Sequence, residues 1–113
     1  MTQGHTVYKI LSKLEWRQAQ SCGRFEGSSI DLRDGFIHLS TAEQVPETLR
    51  LHFKDQEGLL LIAFKESSLN SLKWETSRGG QQFPHVYSTI DTAHAIQEWS
   101  LFSDQFGIPQ APW

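Results

Sequence analysis

Gly58-Leu59-Leu60-Leu61-Ile62-Ala63-Phe64-Lys65-Glu66 is the stretch that decides the fold class. An unbroken apolar run of this length, released by a glycine and closed by charge, reads as a strand covered on both faces and central to a sheet. It is far too short to cross a bilayer. Toward the N-terminus, Val7 to Leu11 reads as a first strand, and Ser12 opens a helix. Ser12-Lys13-Leu14-Glu15 fits a capping box, in which hydroxyl and carboxylate satisfy each other's free amides. Gly23 is a plausible stop. Residues 24–34, followed by Gly35, read as a loop ending in a tight turn. Ser40-Thr41-Ala42-Glu43 repeats the capping pattern, which predicts a turn at 41–44 and then a helix from Pro46 to Phe53. Val45, Leu49 and Phe53 would form its buried stripe. Toward the C-terminus, Leu72 to Glu75 reads as a short edge strand and 76–82 as a loop around Gly79-Gly80. A helical turn is expected at Asp91-Thr92-Ala93, a last strand from Ile96 to Phe102, and a tail around Pro109 and Pro112. Strands and helices do not alternate strictly, so the class is α+β, with a mixed sheet and two short helices.

Length and composition fit this reading. With 113 residues, 20% charged and 38% hydrophobic, the chain is expected to be one domain over 1–113 that buries its own core. A net charge of −3 offers no basic footprint for non-specific nucleic-acid binding. Met-Thr-Gln-Gly-His shows no export signal, and the lone Cys22 makes no internal disulfide, so the cytoplasm is the expected compartment and no membrane partner is expected. Cys22 has no base beside it in sequence and reads as non-catalytic.

The candidate chemistry sits on two further segments, Gly35-Phe36-Ile37-His38-Leu39-Ser40-Thr41 and Phe83-Pro84-His85-Val86-Tyr87. Strand alternation sends Ile37 and Leu39 one way and Phe36, His38 and Ser40 the other. In the second segment Val86, Ser88 and Ile90 share a face opposite His85, Tyr87 and Thr89. Histidine beside aromatic and hydroxyl groups on two strands predicts a cleft. His38 and His85 are its expected hydrogen-bonding and catalytic groups. Glu75, next to the Trp74 indole, is a candidate carboxylate of raised pKa suited to proton transfer. Ser40 and Thr41 would offer amides and hydroxyls to a phosphate, Arg33 would close that anion site, Trp74 would be a stacking wall, and Tyr87 would line it. Arg78-Gly79-Gly80 is a flexible loop able to cover a ligand. His38, His52, His85 and His94 lack metal-ligand spacing, so no metal site is expected. His52 and His94 read as surface residues and His5 as part of a frayed terminus.

Three motifs in order resemble one family. Asp34 to Thr41, Leu72-Lys73-Trp74-Glu75 and Phe83 to Tyr87, with the opening Tyr8-Lys9-Ile10, are similar to the small bacterial and plant family called Domain of Unknown Function 952. That resemblance implies an ADP-ribosyltransferase-like fold, a split sheet with a nicotinamide-dinucleotide cleft between its halves. Gly35-x-x-His38-Leu39-Ser40 also resembles a stretch of RNA 2′-phosphotransferases, which share the fold. Transferases of this fold carry a late-strand Gln-x-Glu; here Gln97 and Glu98 are adjacent, so Glu75 is the carboxylate expected to take that place. The resemblance thus implies a cleft for a nucleotide-like or phosphorylated small molecule, with transfer or cleavage at ribose C1′. No resident cofactor follows; NAD is the candidate substrate. The alternative is a non-catalytic module binding a metabolite or a protein, and the sequence names no protein partner.

Overall fold

The computed structural model describes residues 5–113. The stretch read for an export signal lies, up to Gly4, outside them. The apolar run forms β4 (Leu59–Lys65), and it is central: β1 (Thr6–Ser12) pairs along one edge and β8 (Ala95–Ser100) along the other. Alternation along β4 sends Leu60, Ile62 and Phe64 into one core with Val7, Leu11 and Trp16. Leu59 and Leu61 enter a second core with Ile10, Val45 and Leu49. Each face meets a helix, which is why the run shows no polar alternation. Helix α1 (Lys13–Cys22) covers the first face with Trp16 and Ala19, and α3 (Val45–His52) covers the second with Val45 and Leu49.

The start of α1 follows the sequence reading. Glu15 N donates to Ser12 Oγ at 3.0 Å, and Ser12 N donates to Glu15 Oε1 at 3.0 Å. The turn before α3 is shifted by one residue from its expected box. Thr41, not Ser40, opens that turn: Gln44 N donates to Thr41 Oγ1 and Thr41 N to the Gln44 side chain, and α3 follows with Gln44 at its start. Thr-x-x-Gln satisfies the same reciprocal pattern as the Ser-x-x-Glu one residue earlier, and Ser40 is drawn into strand pairing instead.

Residues 24–34 are not a loop. Arg24–Phe25 form β2, which pairs with β7 (Ile90–Asp91), and Ser29–Asp34 form α2, so the described residues hold three α-helices rather than two. Ser28 N is satisfied by Asp31 Oδ2 at 2.9 Å, and Gly35 ends the helix at φ 87°, a left-handed conformation that glycine adopts without strain. The second sheet runs β3 (Ile37–His38), β6 (Gln82–Val86), β5 (Leu72–Thr76), with β5 at an edge as expected. Every ladder is antiparallel, so the expected mixed sheet is corrected: each paired strand returns alongside its partner in the opposite sense. Alternation past Val86 also fails, because Tyr87 N turns to Ser71 O and Ile90 joins β2. The last strand ends at Ser100, leaving Phe102 exposed.

The two three-stranded sheets share a core, with Ile37 and Val86 packed among the residues of β1 and β4, and among the described residues their backbones join at one point. Leu39 N donates to Pro84 O at 3.0 Å, still with β6. One residue on, Ser40 N donates to Tyr8 O at 2.9 Å and Tyr8 N to Ser40 O at 2.8 Å, with β1. The chain is thus handed from one sheet to the other within a dipeptide, and β1 and β6 diverge on either side of it. No helix among the described residues is long and apolar enough to cross a membrane.

Candidate functional site

The divergence opens a cleft of about 540 Å³. Its walls include Tyr8 to Ser12 of β1, His38 to Ser40, Phe83 and His85 of β6, and Arg78 from the turn between β5 and β6. The register explains why both histidines are there: His38 lies directly opposite His85 across the β3–β6 ladder, and their rings approach edge-on at 5.5 Å. Phe36 covers them, stacked on His85 at 4.1 Å and tilted against His38 at 4.6 Å.

Each histidine is held by a carboxylate. His85 Nδ1 lies 2.7 Å from Glu75 Oε1, which also accepts from the Tyr87 hydroxyl at 2.6 Å. The Tyr87 hydroxyl and the His85 ring hold the Glu75 carboxyl below the usual carboxylate range. That reverses the raised pKa expected from a neighbouring indole. Trp74 and Glu75 are successive strand residues and point to opposite faces; Trp74 packs toward the core and donates its indole N–H to Glu66 at 2.8 Å. In turn the Glu75 carboxylate raises the Tyr87 phenol. An ionised Glu75 only accepts, so His85 Nδ1 is the donor of this pair, and in the neutral ring the lone pair then falls on Nε2. No described residue bonds Nε2, and His85 lines the cleft. Ser40, whose Oγ has no partner among the described residues, lines it too.

His38 differs. Its Nδ1 lies 2.6 Å from Asp31 Oδ1 and its Nε2 3.0 Å from Asp34 Oδ2, so both ring nitrogens are committed. Asp31 is the residue that sequence reasoning missed. It is almost fully buried, accepts the His38 backbone N–H, and meets the Lys9 ammonium at 2.8 Å. Burial pushes its carboxyl up, but hydrogen bonds from His38, Lys9 and Ser28 and the Lys9 charge bring it down to about 2. Burial lowers the Lys9 ammonium, and Asp31 acts against that shift. The available signal was Ser-x-x-Asp at 28–31, a further capping pattern.

The remaining expected residues scatter. Arg33 pairs with Asp34 at 2.9 Å, is largely exposed and does not line the cleft. Thr41 and Trp74 line a different depression, with His5, Tyr8 and Glu43. The amides of Ser40 and Thr41 are already taken, by Tyr8 and Gln44, so they are not free for a phosphate. Tyr87 and Glu75 stand behind His85 rather than in the cleft. His52, read as a surface residue, does line it, and His5 is tied by its carbonyl to Glu66 N at 2.7 Å. Arg78, read only as part of a loop, is a second cation of the cleft beside Lys9, which Asp31 already holds. Its guanidinium lies over the Phe83 ring at 4.9 Å and donates to Thr48 Oγ1 at 3.1 Å, and among the described residues no carboxylate pairs with it.

An antiparallel split α+β fold, with paired histidines at the split, defines the class of protein this is. The chain belongs to the family described as Protein of unknown function (DUF952), whose model matches residues 10–98. It is similar to protein CC0527 from Caulobacter crescentus: the crystal structure is 48% identical, with 93% of each chain covered and a TM-score of 0.90. The solution NMR structure of CC0527 covers 93% of this chain and 91% of its own, with a TM-score of 0.83. Nothing among curated proteins matches the chain.

Proposed function

We propose that the cleft binds a nucleotide-like, phosphorylated small molecule, with Arg78 on the phosphate and His85 Nε2 hydrogen-bonding beside it. The observation that carries this is an arginine with no salt-bridge partner among the described residues, Glu47 being near enough to feel its charge but paired with Arg50, in the same cleft as a histidine whose Nε2 no described residue bonds. A planar guanidinium matches phosphate oxygens, and phosphate outcompetes a neutral threonine hydroxyl for it. Leu39, Phe53 and Phe83 give the cleft apolar wall for a base or sugar, and Ser40 Oγ adds a hydroxyl.

The finer expectation, an ADP-ribosyltransferase-like fold acting on NAD at ribose C1′, has less support. It needs a carboxylate in the cleft to stabilise positive charge developing on the ribose. Glu75 is outside, and the cleft carboxylate, Glu15, has Oε1 committed to Ser12. Binding of a phosphorylated ligand, rather than chemistry at ribose C1′, is therefore the preferred reading of the cleft.

Ligand-observed NMR with AMP, ADP-ribose, NAD, nicotinamide and inorganic phosphate tests it. The phosphorylated compounds are expected to bind, and Arg78→Ala to weaken them about 10–100-fold, the range for losing a hydrogen-bonded charge. Arg33→Ala, outside the cleft, is expected to leave affinity unchanged. Equal binding by wild type and Arg78→Ala, or loss only in Arg33→Ala, would overturn the assignment.

A further inference from the structure

Resting on that reading of the cleft, the geometry points to His85 Nε2 as a nucleophile that accepts a phosphoryl group from the bound ligand, making this site a histidine-dependent phosphoryl-transfer centre. Acid–base catalysis of phosphoester cleavage by two histidines requires both rings to have a free nitrogen at the reacting centre. Here His38 has a carboxylate beside each nitrogen, Asp31 at 2.6 Å and Asp34 at 3.0 Å, so neither nitrogen faces a ligand without a competing partner. His52 also lines the cleft, but it is exposed on α3 and its ring has no partner among the described residues to aim it, whereas the His85 ring is held in place by Glu75 and Phe36. A single fixed imidazole supports a covalent route, because one atom first takes the phosphoryl group and then gives it up.

The surroundings of His85 match that role. The ring plane is fixed by stacking on Phe36 at 4.1 Å, so the lone pair has one direction. Glu75 holds the proton on Nδ1 at 2.7 Å and is itself pinned by Tyr87 at 2.6 Å. When Nε2 attacks phosphorus the ring gains positive charge, and the Glu75 carboxylate stands where that charge develops. Arg78 is the cleft cation able to hold the oxygens of the moving group. In the step, the Nε2 lone pair forms the N–P bond, the P–O bond to the leaving group breaks with its electron pair, and the leaving oxygen takes a proton from water. Water or an acceptor hydroxyl then attacks phosphorus, its proton going to the hydroxide left by the first step, and the N–P bond breaks with its electron pair returning to Nε2, which completes the transfer. The donor is a phosphomonoester or phosphoanhydride. Glu75 acts through His85 and is a positioning residue.

The test uses acetyl phosphate and phosphoramidate as chemical phosphoryl donors, read by intact mass and 31P NMR, beside the binding assay above. An acid-labile, alkali-stable phosphoryl adduct is expected, mapped by peptide mass spectrometry to position 85 and absent from His85→Gln. In Glu75→Gln the adduct should form at least tenfold more slowly, with its pH profile displaced and the imidazole 15N shifts of His85 changed, readouts that lost stability alone would not move. Adducts that persist at His94 in His85→Gln at the wild-type rate would mean unselective surface chemistry, and adducts at His52 would put the nucleophile on the other histidine of the cleft; either overturns the inference. Binding of phosphorylated ligands with no adduct at His85 would overturn the nucleophile and leave the binding cleft standing. Absence of both would overturn the two together.

Discussion

Asp31→Asn is expected to cost about 3–5 kcal/mol, the range for leaving one partner of a buried ion pair uncompensated. For a chain of this size that lowers the thermal midpoint by about 10–20 °C. Lys9 and Asp31 are both nearly inaccessible, at 5% and 2% exposure, and their contact joins β1 to α2 across 22 residues of sequence. The same carboxylate satisfies Ser28 N and both the backbone and the ring of His38. Asparagine keeps the shape but removes the charge opposite Lys9 and places donors where acceptors are needed. Lys9→Met in the Asp31→Asn background should recover part of the loss, because the stranded ammonium is gone. Calorimetry of the two single variants and the double variant measures this, and strict additivity would exclude coupling between the two.

The same group fixes a pH dependence. The folded Asp31 carboxyl titrates near pH 2, below its ordinary 3.8. A depressed folded pKa contributes stability that is present above the unfolded value and lost as pH falls through the folded one. Roughly 2 kcal/mol should therefore disappear between about pH 4 and pH 2. Asp31→Asn should show a flatter acid limb over that window.

Phe64→Ala is the second large effect, about 3–5 kcal/mol. Phe64 has no exposed surface, sits on the central strand, and meets the Trp16 ring edge-on at 6.1 Å. Trp16 reaches that position because α1 is capped at Ser12, so the cavity would open where strand and helix lock together. Neighbours on a strand and an indole cannot close a phenyl-sized hole without breaking their own pairing. Phe102→Ala, at 76% exposure, is the control and should change stability by less than about 0.5 kcal/mol. Chemical denaturation of both variants separates burial from mere aromatic content.

Features carried by short-range pattern were readable in the chain. The β4 run, the Ser12–Glu15 box and the α3 stripe depend on residues one to four apart, and each formed as the pattern requires. The approach of His38 and His85 was also legible, since alternation placed both on functional faces. What was not legible depends on pairing at a distance. Asp31 looked like part of a polar turn because its partner Lys9 arrives from another strand. Arg33 seemed the natural anion ligand beside His38, but its neighbour Asp34 neutralises it, whereas Arg78 is brought in by a turn nearly fifty positions later. Adjacency in sequence suggested that Trp74 and Glu75 act together, and strand alternation separated them.

The handover between Leu39 and Ser40 has a mechanical consequence. Two reciprocal amide bonds between Tyr8 and Ser40 clasp the sheets at the root of the cleft, and both lie in the line along which β1 and β6 would part. Widening the cleft at this end stretches that pair, while the ladders within each sheet can ride along intact. The protein thus carries its own opening gauge: the solvent exchange of two backbone protons counts how often the halves swing apart, with or without a ligand between them.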